Sequence, residues 1–490
     1  MFKRKILIAM KFYKKLLYVF TLLILTYSCF DDIDDNAISA SEINDFVWKG
    51  MNAVYLYKDN ITNLANDRFT STQEYADYLN SFNAPEELFE SLIYQRQTVD
   101  RFSWIVDDYI ALEELFNGTS VRSGYEFDLY PIPGSSNMFG IIRLVLPNSN
   151  ASDNNLMRGQ VFTSIDGIAL TETNYRSLFS PNSYTLEFAD YDDNGTPENL
   201  NDDIITPNGE STTLVKTTLT ENPIFRSTII DVDGENLGYL MYNGFTSNYN
   251  NELNNVFNNF KSNNVQHLVL DLRYNPGGSV LTASYLGSMI TGQFTGEVFA
   301  KLIYNSDLQA NNYNFNFEIQ LDNNAQINSL NLDKIYVLTT EDSASASEMI
   351  INSLNPYIEV IQIGDNTTGK SQASITVYDS PNLEREGANP NHTYAMQPLV
   401  ANTLNKLNNS VPSNGLTPTI NMLENPSNYG VLGNESEPFL AAAIADIRGT
   451  GRFTFSIENL VKPKASSNEL VPHVYEMFID QGILDLKKWK

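Results

Sequence analysis

Apolar residues recur at three- and four-residue spacing through Phe46, Val47, Met51, Val54 and Tyr55, the period of a helix with one buried face. Pro85-Glu86-Glu87-Leu88-Phe89 predicts a second helix, with proline in the first turn and acids at the positive end of the dipole. Residues 103–116 read as a third, so 41–118 are expected to form a helical N-terminal domain. From about 119 to 223 the period shortens. Gly124-Tyr125-Glu126-Phe127 and Gly140-Ile141-Ile142-Arg143-Leu144-Val145 read as paired strands, and 156–167 read as a glycine turn, an alternating strand and an Asp166-Gly167 hairpin in succession. From 224 to about 449, apolar strands at 238–242, 267–273 and 334–340 alternate with helical patterns at 251–261, 279–290 and 345–354, which predicts an α/β core. Residues 450–490 form a mixed C-terminal extension from which no mechanism is predicted.

The first 28 residues stand outside this scheme. Lys3, Arg4, Lys5, Lys11, Lys14 and Lys15 precede or flank the run LLYVFTLLIL, with no acid before Cys29. That run fits a signal-peptide core and is short of the roughly 20 residues a spanning helix needs. Met10 opens an equally complete signal. The segment ends Leu25-Thr26-Tyr27-Ser28-Cys29, and Cys29 is the only cysteine in the chain. It resembles a bacterial lipoprotein signal, although Thr26 stands where a lipobox usually has leucine; the alternative is a plain secretory signal. The resemblance implies removal of 1–28, a lipid on Cys29, and a cell-envelope protein tethered to the outer membrane, facing the periplasm or the exterior. Asp31, Asp32, Asp34 and Asp35 make 29–40 an acidic tether or a surface-export signal.

Composition narrows the chemistry. The chain has 490 residues, enough for two to four domains, and a formal charge of −28. An acidic surface repels phosphate backbones, so no nucleic-acid partner is expected. One cysteine excludes internal disulfides and Cys-rich metal modules. His267, His392 and His473 share no ligand spacing, so no metal or other cofactor is expected. Asp190, Asp192, Asn194 and Gly195 mimic half a calcium loop, but Asn201 stands where a bidentate Glu belongs, and an acidic hairpin without an ion is the expectation. Three tryptophans, Trp48, Trp104 and Trp489, are too few for a glycan-binding groove, and the first two are expected on buried helix faces.

Two segments run from strand to helix through small residues, Leu268-Val269-Leu270-Asp271-Leu272-Arg273-Tyr274-Asn275-Pro276-Gly277-Gly278 and Thr339-Thr340-Glu341-Asp342-Ser343-Ala344-Ser345-Ala346-Ser347-Glu348. A third, around Gly364-Asp365-Asn366-Thr367-Thr368-Gly369-Lys370-Ser371, follows the next strand. Acyl transfer needs a nucleophile, a base and donors for the oxyanion. With no histidine near these motifs, a lysine made neutral by burial can serve as base, and Lys370 is placed for it. Ser345 opens a helix, where developing negative charge is favoured. The N–H of Ala346 and a glycine N–H from Gly277 or Gly278 could form the oxyanion hole. Against this, Ser345 and Glu348 also fit an S-x-x-E capping box. Asp271 and Arg273 are expected to hold the loop, Ser343 to sit in the turn and Ser347 on the helix surface.

Leu-Asp-Leu-Arg-Tyr-Asn-Pro-Gly-Gly, Ser-Ala-Ser-Ala-Ser-Glu and Thr-Gly-Lys, in this order and spacing, resemble the carboxyl-terminal processing (tail-specific) serine proteases. Trp48-Lys49-Gly50-Met51-Asn52 and Asp100-Arg101-Phe102-Ser103 also resemble that family's N-terminal region. The resemblance implies a crotonase-like protease core at 224–449, Ser345 as nucleophile and Lys370 as base, cleaving envelope or extracellular proteins. Many members carry a glutamine four residues after the lysine; here that position is Ser374, and Gln372 is the nearby glutamine, so either is a possible lysine orienter. The strands of 119–223 resemble a PDZ domain, in which Gly124, Tyr125, Glu126 and Phe127 would bind a substrate's C-terminal tail. The rival expectation is a peptide-binding lipoprotein on the same fold that has lost catalysis.

Overall fold

The computed structural model describes residues 40–197, 199–450, 461–471 and 474–480; Cys29, the acidic segment behind it, His473 and Trp489 lie outside these residues. Among the described residues no helix is long and apolar enough to cross a membrane.

The helix Ala40–Val54 buries Phe46, Val47, Met51 and Val54, and Pro85–Ser91 buries Leu88 and Phe89 against it. These side chains are continuous with the core of the α/β part, so the helices pack on it directly. The expected helix at 103–116 is instead two elements. Trp104–Val106 is a strand antiparallel to Ala395–Gln397, and Tyr109–Phe116 is a helix. Trp-Ile-Val suits a pleated surface, and Asp108 starts a new helix by accepting from the N–H groups of Ile110 and Ala111. Trp104 is buried, as expected, but on a strand.

A β-rich unit follows. Its sheet runs Ala465–Ser466, Tyr125–Pro131, Met138–Val145, Val161–Ile165, Ser183–Asp192, Ile204–Val215, with Ile168–Ala169 paired to Val161–Ile165. Asp166 and Gly167 take φ of 49° and 77°, the positive values a tight hairpin requires. The first strand of this sheet comes from the C-terminal extension.

The α/β core is a six-stranded sheet ordered Ile224–Val232, Glu235–Tyr242, Val265–Asp271, Lys334–Thr339, Glu359–Gly364, Ile420–Asn421. The first pair is antiparallel and the remaining pairs are parallel. Leu268 and Leu270 face the helices Asn250–Ser262, Val280–Ile290 and Ala346–Leu354, while Val269 faces Pro438–Ile447. Burial on both faces is why these strands read as continuous apolar runs. A second six-stranded sheet joins Gly278–Ser279, Met477–Phe478, Gln372–Ser374, Leu399–Leu404, Val298–Tyr304 and Tyr313–Asn316.

Candidate active site

Three loops meet because of where their strands lie. Val265–Asp271, Lys334–Thr339 and Glu359–Gly364 are neighbours, with Asp271 opposite Leu338 and Thr339 opposite Gly364. Each runs into one of the small-residue segments, so residues 275–278, 341–345 and 365–370 leave the sheet side by side at its carboxyl edge, where open α/β sheets hold their ligands. The loops are then tied together. Ala344 N–H donates to Asn275 C=O at 3.2 Å, Thr368 N–H to Ser343 C=O at 3.0 Å, and Ser343 Oγ to Leu272 C=O at 2.8 Å. Ser347 is not on the helix surface; it is buried, and its Oγ donates to Asn275 C=O at 3.0 Å.

Ser345 caps Ala346–Leu354 with φ 62° and ψ −114°. Such a conformation costs a non-glycine residue about 1–3 kcal/mol. A strained strand-to-helix turn is also what lifts a serine hydroxyl away from its backbone. Ser345 is fully buried, and its Oγ has no hydrogen-bond partner among the described residues. Only the carboxylate half of the capping box is therefore engaged: Glu348 Oε2 accepts from Ser345 N–H at 2.8 Å. A serine serving only as a cap spends its oxygen on the helix N–H groups; this hydroxyl is unspent.

Glu348 does more than cap. Its Oε2 also accepts from Lys370 N–H at 2.8 Å, and its Oε1 accepts from Gly369 N–H at 2.7 Å and from the Thr367 hydroxyl. One buried carboxylate thus clips the serine turn to the lysine loop. Burial raises its pKa above the ordinary value, and the four hydrogen bonds oppose that rise. The S-x-x-E spacing was the signal for this residue, but the spacing says nothing of the lysine loop.

Gly277 and Gly278 have φ of 117° and 133°, values that glycine tolerates and L side chains avoid. A Cβ on Gly277 would lie 2.5 Å from Ser345 Cβ and 3.1 Å from Ala346 N, so the glycine loop packs on the serine turn. Gly277 N–H is used within its own loop by Asn275 Oδ1 at 2.9 Å. Gly278 N–H donates to Glu476 C=O at 2.6 Å. Ala346 N–H heads its helix with no acceptor among the described residues. Ala346 N–H is therefore free to receive a bound carbonyl, and Gly278 N–H is already engaged by one, that of Glu476.

Lys370 is fully buried. Its Nζ donates to Tyr475 C=O at 2.7 Å and to Glu476 Oε2 at 3.3 Å, and lies 5.1 Å from the Phe102 ring centre. Burial lowers the amine's pKa below the ordinary lysine value; Glu476, then Asp100 and Glu348, work against it. The amine does not donate to Ser345 Oγ in this arrangement. Neither expected orienter reaches it. Ser374 Oγ meets Glu476 Oε2 at 3.2 Å and donates to Met477 C=O at 3.1 Å, and Gln372 lies on the strand opposite Asn402. A hydroxymethyl group is too short to span the gap, and Glu476 fills it, with its Oε1 held by Trp104 Nε1 at 2.7 Å. Glu476 comes from the extension to which the sequence assigned no role. Arg101 of the N-terminal region donates to Gly369 C=O at 3.1 Å, fixing the lysine loop from outside.

Buried charges brace the site. Arg273 is paired with Asp271 and Glu437, each at 2.7 Å, and Glu424 at 3.1 Å. Arg143 of the β-rich unit pairs with Asp342 on the serine loop, with Asp128 at 2.9 Å and with Glu126 at 3.2 Å. Of the residues expected to bind a peptide tail, Tyr125 and Phe127 lie in the unit's core and Glu126 in this ion-pair cluster, while Gly124 C=O accepts from Leu146 N–H at 2.8 Å. A cavity of about 410 Å³ between the unit and the core is lined by Arg122, Glu126, Phe245, Gly277, Gly278 and Glu476 among others.

The sequence model of peptidase family S41 matches residues 236–421, and that of the peptidase S41 N-terminal domain matches residues 42–104. A carboxyl-terminal-processing protease of Picosynechococcus sp. is 24% identical over 231 residues, covering 47% of this chain and 50% of that protein. Carboxyl-terminal-processing peptidase 3, chloroplastic, of Arabidopsis thaliana is 26% identical over 196 residues, covering 36% of this chain and 35% of that protein. The chain thus spans half or less of the length of these curated relatives. The crystal structure of a candidate S41 protease from Bacteroides fragilis is 26% identical, with a TM-score of 0.66 over 83% of this chain and 97% of that one.

Proposed function

The chain belongs to peptidase family S41, and from that premise we propose that it is a serine endopeptidase of the Ser-Lys type. Ser345 Oγ attacks a peptide carbonyl and Lys370, uncharged, takes the hydroxyl proton. The N–H groups of Ala346 and Gly278 receive the oxyanion. Lys370 returns the proton to the departing amine, then takes one from the water that hydrolyses the acyl-enzyme. The observation that carries this reading is the shared carboxylate: Glu348 Oε2 accepts from the N–H of Ser345 and of Lys370, at 2.8 Å each. In the same reading, 119–223 act as a PDZ-like module that delivers the C-terminal tail of a protein substrate, and a lipid on Cys29 holds the enzyme at the cell envelope. The test is labelling with a fluorophosphonate probe. Wild type reacts and Ser345→Ala does not; a folded wild type that stays unlabelled refutes the proposal.

One observation favours a second reading. The Ser345 hydroxyl is unpartnered and the Lys370 amine is engaged elsewhere. A chain fixed in that state would bind peptides without cutting them, and it would remain unlabelled.

A further inference from the structure

We infer that the groove between Gly278–Ser279 and Gln372–Ser374 is a peptide site, and that the ligand it holds here is the chain's own segment 474–480. The inference deepens the proposed function and rests on Ser345 as nucleophile.

The segment lies as an extended strand. Met477 and Phe478 pair in parallel with Gly278 and Ser279, and Phe478 pairs in parallel with Ser374 on the other side. Ile479 N–H donates to Ser374 C=O at 2.9 Å. Backbone pairing of this kind is how sheets capture extended peptides irrespective of sequence. The register is informative. Glu476 C=O takes the Gly278 N–H at 2.6 Å. The position a Cβ would take on Gly277 lies 2.2 Å from that oxygen and 2.5 Å from Ser345 Cβ. The Glu476–Met477 bond therefore stands where a bond to be cut would stand. Beyond it, Phe478 stacks on Phe116 with ring centres 4.5 Å apart. Asp480 accepts from Ser279 Oγ at 2.6 Å and Ser247 Oγ at 2.9 Å.

The segment also explains its own survival. It uses the Gly278 N–H that an oxyanion would need, and it places a carboxylate against the Lys370 amine. Glu476 works against the burial that lowers the amine's pKa, and with Tyr475 C=O it holds Nζ on the segment and off the serine hydroxyl. An acid before the bond makes the segment a blocker. The corresponding substrate is an extended peptide with an uncharged residue at that position, an aromatic residue two places after the bond and a carboxylate four places after the bond. The cavity lined by Phe245, Gly277, Gly278, Glu476 and Phe478 is its way in.

The test uses the full-length protein with Phe478→Ala and Asp480→Asn combined, which loosens the strand and leaves the reacting groups intact. Peptide hydrolysis and fluorophosphonate labelling should both rise about tenfold or more. The synthetic heptapeptide Val-Tyr-Glu-Met-Phe-Ile-Asp should then raise KM without changing kcat, and a scrambled peptide should not. The same peptide with Gln for Glu should be cut after Gln. A folded double variant with unchanged or lower rates means that the strand is only structural, and overturns the inference. If the double variant does not fold, Glu476→Gln keeps the shape and removes the charge. A rise in its rate supports the inference; a fall makes Glu476 a positioning residue for Lys370 and overturns it. Anisotropy of the fluorescein-labelled heptapeptide on the double variant needs no reactive serine. Binding there without labelling of Ser345 would fault the protease reading alone, and absence of binding would fault the groove.

Discussion

Substituting Glu348 separates a clip from an ordinary helix cap. Its carboxylate accepts four hydrogen bonds, from the N–H groups of Ser345, Gly369 and Lys370 and from the Thr367 hydroxyl. A buried donor left without a partner costs about 1–3 kcal/mol. Glu348→Gln keeps one oxygen, which serves best on the Ser345 and Lys370 side. Its amide can donate to the Thr367 hydroxyl oxygen, and Gly369 N–H is the one donor stranded. The expected loss is therefore about 1–3 kcal/mol, with labelling of Ser345 slowed as the lysine loop shifts. Glu348→Ala strands the three N–H groups together, for about 3–9 kcal/mol. That is comparable to the entire stability of many folded domains, about 5–15 kcal/mol. Thermal unfolding and the rate of fluorophosphonate labelling, measured on both variants, give the comparison. A capping-box role alone would lose little in the glutamine variant and about 1 kcal/mol in the alanine variant. If alanine proves no worse than glutamine, the carboxylate does not join the two loops and the argument for the site's assembly fails.

Four more outcomes follow from the geometry. Lys370→Ala should abolish labelling, and in wild type kcat/KM should rise with pH through the lowered lysine pKa, because only the uncharged amine is a base; a profile flat from about pH 5 to 9 contradicts a lysine base. Gly277→Ala should cost about a hundredfold or more in labelling rate, since its Cβ would meet Ser345 Cβ at 2.5 Å beside the oxyanion donors, and wild-type rates would refute this. Arg143→Met should destabilise the protein by about 3–5 kcal/mol by leaving Asp342 and Asp128 buried without their cation, measurable by denaturant unfolding. Burial pushes Asp128 up to about 7, so the native chain keeps a proton the unfolded chain has lost; its contribution to stability falls as pH rises from about 4 to about 7, and melting temperatures that climb steeply across that window in wild type but not in Asp128→Asn would contradict the assignment.

The parts of this molecule that could be read from its sequence are those in which the chain repeats one physical demand over many residues. Val265–Asp271 and Lys334–Thr339 are buried on both faces, so each of their positions reports the same environment, and the strands were legible. Ser345, Lys370 and the glycine loop were legible as well, because adjacent parallel strands deliver their following loops to one edge in sequence order. Trp104 broke the pattern: three residues of β-branched and aromatic character are too few to register against a helical period. What the sequence withheld is the direction of the Lys370 amine. That direction is decided by Tyr475 and Glu476, some hundred positions away, through two-residue strand pairings that leave no periodic trace. The motifs therefore mark the loops that meet at this edge, while the direction of the lysine amine is set by a segment that carries no motif. Under the proposed mechanism, the unpartnered Ser345 hydroxyl and the Lys370 amine held by Tyr475 and Glu476 are one arrangement, because the strand that engages the amine gives it acceptors other than the serine.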